Sequence, residues 1–317
     1  MIEILNAEPY QFSSDARDIL RSIGELCECS LSQQELHAQI GDFNVLIVRL
    51  GLKVNRDIID AGHQLRAIVS ATTGLDHIDT AYAQTKGVVV LSLRGEVEFL
   101  RSIYATAEHT WALLLALLRR ITHAFESVRR GEWDRDAFRG NELYGKRLGI
   151  VGLGRVGEKI ARYGLAFGMD VAAYDPYVAK WVEGVARLHR LADLLKRSDV
   201  LTLHVPLNAE TTNMINSDEL ALMPPGSVLI NTSRGEVVNE TALVQTLENN
   251  RLAGAALDVV AYEREPEQRQ CSPLLAHART HENLLITPHL AGATHESMAK
   301  TEVFMARKLA TFLNSLK

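Results

Sequence analysis

Three charged side chains follow three separate apolar runs in the last third of the chain. Arg234 stands in N-T-S-R-G, Glu263 follows L-D-V-V-A-Y, and His289 stands in T-P-H-L-A-G-A-T. Arginine offers a rigid fork of donors that fits a carboxylate, and histidine can exchange a proton near neutral pH. A neighbouring carboxylate would favour the imidazolium and hold one ring nitrogen in place. Together the three groups could support hydride transfer at a carbon that bears oxygen beside a carboxylate, whereas each alone would be an ordinary surface residue.

A glycine-rich turn predicts a dinucleotide site. Gly152, Gly154 and Gly157 follow the apolar run 148–151, and Asp175 ends the next apolar run, 18 residues after Gly157. The first glycine permits a tight turn, the second a close approach to a pyrophosphate, and the third close packing of a helix on its strand. The helix N-terminus would face the phosphates with its positive dipole end. Because Asp175 can bind the ribose hydroxyls and would repel a 2′-phosphate, we expect NAD(H) rather than NADP(H).

Alternating β-rich runs and helical periodicity predict the elements that position these side chains. Strands are expected at 45–48, 67–70, 88–91, 148–151, 171–175, 200–205, 228–231, 255–258 and 284–287. Helices are expected at about 56–62, 104–128, 241–249 and 296–316. The first three strands indicate a small α/β unit, and the later ones indicate a doubly wound parallel sheet. Since open α/β sheets bind ligands at the carboxyl ends of their strands, the three charged residues should meet at one edge.

Composition narrows the choice of partners. The 317 residues are 47% hydrophobic and 23% charged, with a formal net charge of −5, and they are enough for two domains. The net negative charge argues against a nucleic acid or a membrane surface as partner, because a protein that binds either one needs an excess of positive charge. No secretory signal opens the chain, and the longest apolar stretch, 111–118, is too short to span a bilayer. Cys27, Cys29 and Cys271 form no C-x-x-C pair, so we expect reduced thiols, a cytoplasmic location and no metal site.

Ordered motifs run through nearly the whole chain. They are V-L-I-V-R (45–49), T-G-L-D-H-I-D (73–79), A-T-A-E-H-T (105–110), G-K-R-L-G-I-V-G-L-G-R-V-G (145–157), F-G-M-D-V-A-A-Y-D-P (167–176), L-H-V-P-L (203–207), N-T-S-R-G-E-V-V (231–238), A-G-A-A-L-D-V (253–259) and T-P-H-L-A-G-A-T (287–294). With these motifs the chain resembles the D-isomer-specific 2-hydroxyacid dehydrogenases, most of all their phosphoglycerate dehydrogenase branch.

The resemblance implies a two-domain α/β fold. A Rossmann-type doubly wound parallel sheet, residues 104–290, would be inserted into a smaller flavodoxin-like α/β substrate domain formed by residues 1–103 and 291–317. The family pairs into a homodimer through the nucleotide domain. Because the chain ends after its last predicted helix, we expect no regulatory domain of the kind that longer relatives carry.

The resemblance also implies a role for each site residue. His289 would be the general acid/base, Glu263 would support its protonated form, and Arg234 would orient the carboxylate and carbonyl of the substrate. Cofactor contacts would come from Thr73, Gly152, Gly154, Arg155, Val156, Gly157, Asp175, Val205, Pro206, Thr232, Ser233, Asp258, His289 and Gly292. Substrate contacts would come from Arg49, Thr73, Gly74 and Arg234. Arg49 would lie near a distal anion of the substrate, although a strand-end arginine in solvent is an equally good interpretation.

We therefore expect an NAD-dependent oxidoreductase that interconverts a D-2-hydroxy acid and its 2-oxo acid, with 3-phosphoglycerate or a related anionic acid as first candidate. Three features depart from the family pattern: Thr72 replaces a glycine in the loop 71–74, the charged segment 94–104 is longer than usual, and Arg264 follows Glu263, so that the common E-P pair appears only at Glu265-Pro266. That segment could contact a bulky substrate or a dimer surface. Two alternatives remain, an NADH-sensing dimeric binding protein of the corepressor type and an enzyme for a larger, sugar-linked hydroxy acid.

Overall fold

The computed structural model describes residues 1–316, which divide into two compact units. The first unit comprises Met1–Ile103 and the segment from Ala293 onward, and the second comprises Tyr104–Gly292. The chain therefore leaves the first unit once and returns to it at the end. No helix among residues 1–316 is long and apolar enough to cross a membrane.

The first unit contains a five-stranded parallel sheet. Its strands are β1 (Glu3–Asn6), β2 (Glu25–Glu28), β3 (Val45–Val48), β4 (Ala67–Ser70) and β5 (Val89–Ser92). They pair in the order β2-β1-β3-β4-β5, which is the flavodoxin-like order. The helices that follow these strands are α1 (Ser14–Ile23), α2 (Gln33–Gln39), α3 (Arg56–Ala61), α4 (Thr80–Thr85) and α5 (Val97–Arg101). The first four begin at Ser, Asn or Asp caps whose side chains accept a backbone N–H bond.

The second unit contains a seven-stranded parallel sheet. Its strands are β6 (Arg147–Val151), β7 (Asp170–Tyr174), β8 (Ala186–Leu188), β9 (Val200–Leu203), β10 (Ser227–Asn231), β11 (Leu252–Leu257) and β12 (Leu284–Ile286). The order β12-β11-β10-β9-β6-β7-β8 is the Rossmann order with one added strand. Its helices are α6 (Ala105–Leu118), α7 (Ile121–Arg129), α8 (Arg155–Ala166), α9 (Leu191–Leu195), α10 (Ser217–Leu222), α11 (Glu240–Glu248), α12 (Pro266–Gln270) and α13 (Pro273–Ala278). The last helix, α14 (His295–Ser315), belongs to the first unit.

Both faces of each sheet are buried. In β6, Leu148 and Ile150 contact one apolar cluster, and Val151 contacts the other. Parallel strands covered by helices on both faces read as continuous apolar runs, which is why these strands stood out in the sequence. The predicted fold class, a Rossmann-type sheet accompanied by a smaller α/β unit, is confirmed.

One helix prediction needs correction, and three strands were not predicted. The single helix expected at 104–128 is two helices, because Arg120 adopts a left-handed conformation with φ of 52° between α6 and α7. No glycine or proline marks that break in the sequence. The strands β2 and β8 were not predicted, because they are only partly buried and lack a clear apolar run. Strand β1 was not predicted because, although it is buried, only two of its four residues, Ile4 and Leu5, are apolar.

The segment 94–104 is built around α5, and its residues up to Ile103 belong to the first unit. Leu100 and Ile103 are buried in the core of the first unit. The ring of Phe99 stacks on that of Phe304 in α14, with ring centroids 4.0 Å apart. Internal packing therefore accounts for Phe99, Leu100 and Ile103, whereas Val97 and Tyr104 are 59% and 50% exposed.

Candidate active site

The predicted site residues of the second unit follow strands of the seven-stranded sheet. Gly152 and Gly154 follow β6, Asp175 follows β7, Val205 and Pro206 follow β9, Thr232, Ser233 and Arg234 follow β10, Asp258 follows β11, and His289 and Gly292 follow β12. Because all strands of this sheet are parallel, these residues lie at one edge, where open α/β sheets bind ligands. Glu263 lies on the same loop as Asp258.

The three glycines of the turn differ in how much space surrounds them. At Gly152 and Gly157 there is no room for a side chain, whereas at Gly154 there is room for a phosphate. Gly152 has φ of 89°, and a Cβ atom there would lie 2.5 Å from the carbonyl oxygen of His204. At Gly157 a Cβ atom would lie 2.1 Å from the carbonyl oxygen of Gly152, so only glycine lets α8 sit this close to β6. No atom lies within 4 Å of the Cβ position at Gly154. The backbone there is open to an approaching pyrophosphate.

The first residue of α8, Arg155, supplies a positive charge at this turn. Burial lowers the pKa of the Arg155 guanidinium, and no carboxylate pairs with it within residues 1–316. A partly buried cation at a helix N-terminus is stabilised by an anionic ligand. Arg155 and the glycine turn therefore fit the pyrophosphate of a dinucleotide.

His204, which follows β9, is a second histidine near the turn but cannot carry protons at physiological pH. Burial first, and the charge of Arg155 second, lower the pKa of His204 to about 3. Its Nε2 atom lies 2.8 Å from the Thr202 hydroxyl. The His204 imidazole is therefore neutral and is not a candidate for acid/base chemistry.

Asp175 accepts hydrogen bonds from the backbone of two loops. One carboxylate oxygen accepts the N–H of Leu153 at 2.8 Å, and the other accepts those of Tyr177 at 2.8 Å and Val178 at 3.1 Å. A carboxylate has about four acceptor positions, so at least one remains for a ribose hydroxyl. Asp175 thus both fixes the glycine turn and offers a negative charge beside it.

His289 and Glu263 form a hydrogen-bonded pair. Nδ1 of His289 binds Oε1 of Glu263, and both side chains are about four-fifths buried. An ionised carboxylate can only accept, so Nδ1 carries the proton of this hydrogen bond, and Nε2 is the ring nitrogen that remains for other contacts. Arg264 lies beside the pair, with Nη2 4.0 Å from Oε1 of Glu263, and Arg269 donates to the Glu263 carbonyl at 2.8 Å. Arg269 thus holds the backbone of Glu263, and Arg264 places a positive charge near its carboxylate.

The backbone that carries the pair is strained. His289 has φ of 53°, and Tyr262, directly before Glu263, has φ of 54°. A residue with a Cβ atom in this region costs about 1 to 3 kcal/mol and persists when its surroundings hold it there. At His289 the restraint is Asp258, whose carbonyl accepts the His289 N–H at 2.8 Å.

The Asp258 carboxylate holds the rest of the turn. It accepts the N–H groups of Leu290 at 3.0 Å and Ala291 at 2.8 Å, and the Thr287 hydroxyl at 2.5 Å. Burial by itself would raise the pKa of Asp258, but these bonds and that from His109, 3.3 Å away, lower it below its usual value. Asp258 was predicted as a cofactor contact, and the structure shows in addition that it shapes the His289 turn.

Two residues of this network, His109 and Thr287, were missed by the sequence analysis. Nε2 of His109 lies 3.0 Å from the Thr287 hydroxyl, and both groups contact Asp258. A polar residue within the apolar helix α6, and a threonine two positions before His289, were the available signals. Neither identifies the partner, because the two residues are 178 positions apart.

Arg234 follows β10 in a segment that packs against the Glu263 loop. A Cβ atom at Gly235 would lie 2.0 Å from the Val260 carbonyl carbon, so the two backbones touch. Nη1 of Arg234 donates to the Ser233 carbonyl at 2.7 Å. The Ser233 hydroxyl donates to Asn231 at 2.7 Å, and the Thr232 hydroxyl lies 2.7 Å from that of Thr110. The cofactor roles of Thr232 and Ser233 stay predictions.

Val156 lies in the first turn of α8 and packs against an apolar cluster of the second unit. The other predicted residues lie in the first unit, after strands of the five-stranded sheet. Arg49 follows β3 and forms an ion pair with Glu302. Thr73 and Gly74 follow β4, and the Gly74 carbonyl accepts the Thr72 hydroxyl at 2.7 Å. Their substrate contacts stay predictions. Within residues 1–316 no group of three or more His, Cys, Asp or Glu side chains could hold a metal ion.

The fold and the site define a class: a dinucleotide-binding α/β protein with a histidine–carboxylate pair at the same sheet edge as the nucleotide turn. Residues 111–291 match the family model of the D-isomer specific 2-hydroxyacid dehydrogenase, NAD binding domain. The chain belongs to this family, and its second unit contains the NAD-binding domain.

Relatives of the chain agree with this assignment. It is 38% identical to D-3-phosphoglycerate dehydrogenase of Methanocaldococcus jannaschii over 99% of this chain and 58% of that protein. It is 36% identical to hydroxypyruvate reductase of Thermotoga maritima over 88% of each chain. The solved D-lactate dehydrogenase of Aquifex aeolicus, complexed with NAD and lactic acid, superposes with a TM-score of 0.82 at 28% identity, over 98% of this chain and 95% of that one. The chain spans little more than half the length of the phosphoglycerate dehydrogenases that it matches.

Proposed function

We propose that the protein is an NAD-dependent oxidoreductase that interconverts a D-2-hydroxy acid and its 2-oxo acid. The observation that carries the proposal is the hydrogen bond between His289 and Glu263 at the sheet edge that also bears the nucleotide turn and Arg234. Relatives whose names denote a hydroxypyruvate reductase and a D-lactate dehydrogenase support the same reaction type.

Three side chains have distinct roles in this proposal. Bound NAD supplies or accepts the hydride. His289 gives a proton from Nε2 to the developing alkoxide during reduction and takes it back during oxidation. Glu263 stabilises the imidazolium and fixes the ring, and Arg234 binds the substrate carboxylate as a two-pronged donor. On the first unit, we assign Thr73 and Gly74 to the same carboxylate.

The proposal is tested by the loss of NADH absorbance with a panel of 2-oxo acids that includes pyruvate, hydroxypyruvate and 3-phosphohydroxypyruvate. We expect at least one acid to be reduced with many turnovers. A protein that binds NADH but reduces none of them would contradict the proposal and favour the NADH-sensing binding protein. The enzymatic interpretation is preferred because the named relatives are enzymes.

Cofactor choice gives a separate prediction at Asp175. Its carboxylate should repel the 2′-phosphate of NADPH, so NADH should bind more tightly than NADPH. Asp175→Asn keeps an acceptor for the Leu153 amide and removes the charge, and it should narrow the difference between the two Kd values. Calorimetric titration of both nucleotides measures this. Asp193→Asn, on α9 of the same unit, is the matched control and should leave the ratio of Kd values unchanged.

We further propose that the protein is a homodimer formed through the second unit. Large apolar side chains are exposed on and near α7: Phe125 is 60% exposed and Trp133 is 89% exposed, and Ile121, Val128 and Tyr144 are also exposed. A monomer rarely leaves so many apolar groups in water without a partner surface. Sedimentation should give twice the mass of one chain, and Phe125→Asp should shift it toward the monomer. A wild-type protein that sediments as a monomer at high concentration would contradict this.

The three free cysteines are consistent with the reducing cytoplasm that we propose as its location.

A further inference from the structure

The charge of Arg49 is already balanced within the first unit. Its Nη2 atom donates to Oε1 of Glu302 at 2.5 Å, and its Nη1 atom donates to the Tyr10 carbonyl at 2.7 Å. The Glu302 side chain is 3% exposed and that of Arg49 is 21% exposed. The other carboxylate oxygen of Glu302 accepts the Ser13 N–H at 2.7 Å, so the carboxylate is fixed on both sides. Arg49 therefore offers little net positive charge to a ligand.

A second carboxylate lies at the backbone of the same arginine. Glu8 accepts the Arg49 N–H at 2.5 Å with one oxygen and the Gly51 N–H at 2.9 Å with the other. Arg17, which donates to the Phe12 carbonyl in the same region, is paired with Glu28 at 2.8 Å. Arg49 thus has two carboxylates close to it, those of Glu8 and Glu302, and the net charge of these three side chains is negative.

The surroundings of the ion pair are apolar. A small cavity of about 20 Å³ adjoins Arg49 and Glu302, and the rest of its lining includes Phe12, Ile47, Ala71 and Met305. Charges interact strongly in such surroundings because little water screens them. Ala71 begins the loop that ends at Gly74, to which the proposed function assigns the substrate carboxylate. The pair therefore lies next to the part of the first unit that is assigned to the substrate.

We propose that this edge of the first unit selects 2-oxo acids whose side chain carries no negative charge, and that Glu302 sets this preference by neutralising Arg49. The inference rests on the proposed function and specifies its substrate class. The second anion of a phosphorylated or dicarboxylic acid would meet Glu302 and Glu8 without a free cation to offset them. A methyl or hydroxymethyl side chain meets no such repulsion. Glu302 acts through Arg49 and touches no reacting atom, so it determines specificity and is not a catalytic residue.

The test compares hydroxypyruvate with 3-phosphohydroxypyruvate, which differ only by the phosphoryl group. The wild-type kcat/KM should favour hydroxypyruvate by about tenfold or more. Glu302→Gln keeps the size of the side chain and removes its charge, which frees the guanidinium for a phosphate. The variant should raise the kcat/KM ratio of the phosphorylated over the unphosphorylated acid by about tenfold, mainly through KM. Glu96→Gln is the matched control, because it breaks another ion pair that α14 makes in this unit, with Lys308, and should leave the ratio unchanged.

Circular dichroism shows whether the Glu302→Gln variant folds. If it does not, the wild-type ratio of kcat/KM for the two acids still tests the proposal. A wild-type protein that reduces 3-phosphohydroxypyruvate better than hydroxypyruvate overturns this inference and leaves the proposed function standing. A folded Glu302→Gln variant with an unchanged ratio also overturns it. A protein that reduces neither these acids nor the rest of the panel overturns the proposed function itself, and the inference with it.

Discussion

Replacing His289 by alanine is expected to lower turnover in both directions by about 10²- to 10⁴-fold, the usual contribution of a general acid/base. The NADH Kd should stay within a few-fold of the wild-type value, because Asp258 holds the neighbouring turn through the backbone amides of Leu290 and Ala291. Single-turnover rates and NADH titration measure the two effects separately.

The left-handed backbone at residue 289 requires a second variant. Alanine is disfavoured at a φ of 53°, whereas asparagine tolerates this conformation and carries no transferable proton. His289→Asn should therefore lose as much activity as His289→Ala while it keeps the wild-type Tm. The control His189→Ala removes an exposed histidine of the same unit and should leave turnover unchanged. Near-normal turnover in His289→Asn would show that another group carries the proton.

Glu263 allows the same assignment to be checked by pH. Reduction starts from the imidazolium and oxidation from the neutral ring, so the reductive rate should fall and the oxidative rate rise as the pH increases. Glu263→Gln keeps an acceptor for Nδ1 and removes the charge that favours the imidazolium. The alkaline limb of the reductive profile should move to lower pH in this variant. Identical profiles for the two directions in the wild type would contradict the role of His289.

Arg234→Lys is expected to lower kcat/KM for the 2-oxo acid on the order of 10²-fold, with NADH binding retained. A lysine keeps the positive charge but cannot reproduce the two parallel hydrogen bonds of a guanidinium to a carboxylate. Loss of a charge-assisted contact in a partly buried site has effects of this size. Steady-state kinetics and NADH titration check it, and Arg187→Lys, at the exposed edge strand β8, is the control. Unchanged kinetics in Arg234→Lys would place the carboxylate contact elsewhere.

The parts of this site that the sequence predicted are those that depend on short spacing. Gly152 to Gly157 form one turn, and Asp175 ends the next strand, so local spacing was sufficient to place them. His289 and Glu263 were proposed as partners because each follows a late strand of a parallel sheet, and the hydrogen bond between them confirms their proximity. The chemical roles of these residues came from the resemblance to the family.

The parts that could not be predicted depend on contacts between distant positions. The ion pair of Arg49 and Glu302 joins residues 253 positions apart, and neither neighbourhood in the sequence points to the other. The left-handed conformation at His289 is equally hidden, because histidine has no local preference strong enough to signal it. Both features exist because tertiary packing imposes them.

The return of the chain to the first unit has a consequence for how the protein is made. Helix α14 supplies Met305, Ala306, Leu309 and Leu313 to the same apolar core as β1, β3 and β4. During synthesis the N-terminal part of this core cannot be completed until the whole second unit and then α14 have left the ribosome, so its apolar side chains stay exposed until then. The second unit is continuous in sequence and can fold first. We therefore expect a ribosome-bound nascent chain that lacks α14 to show protease resistance over Tyr104–Gly292 well before it does so over Met1–Ile103.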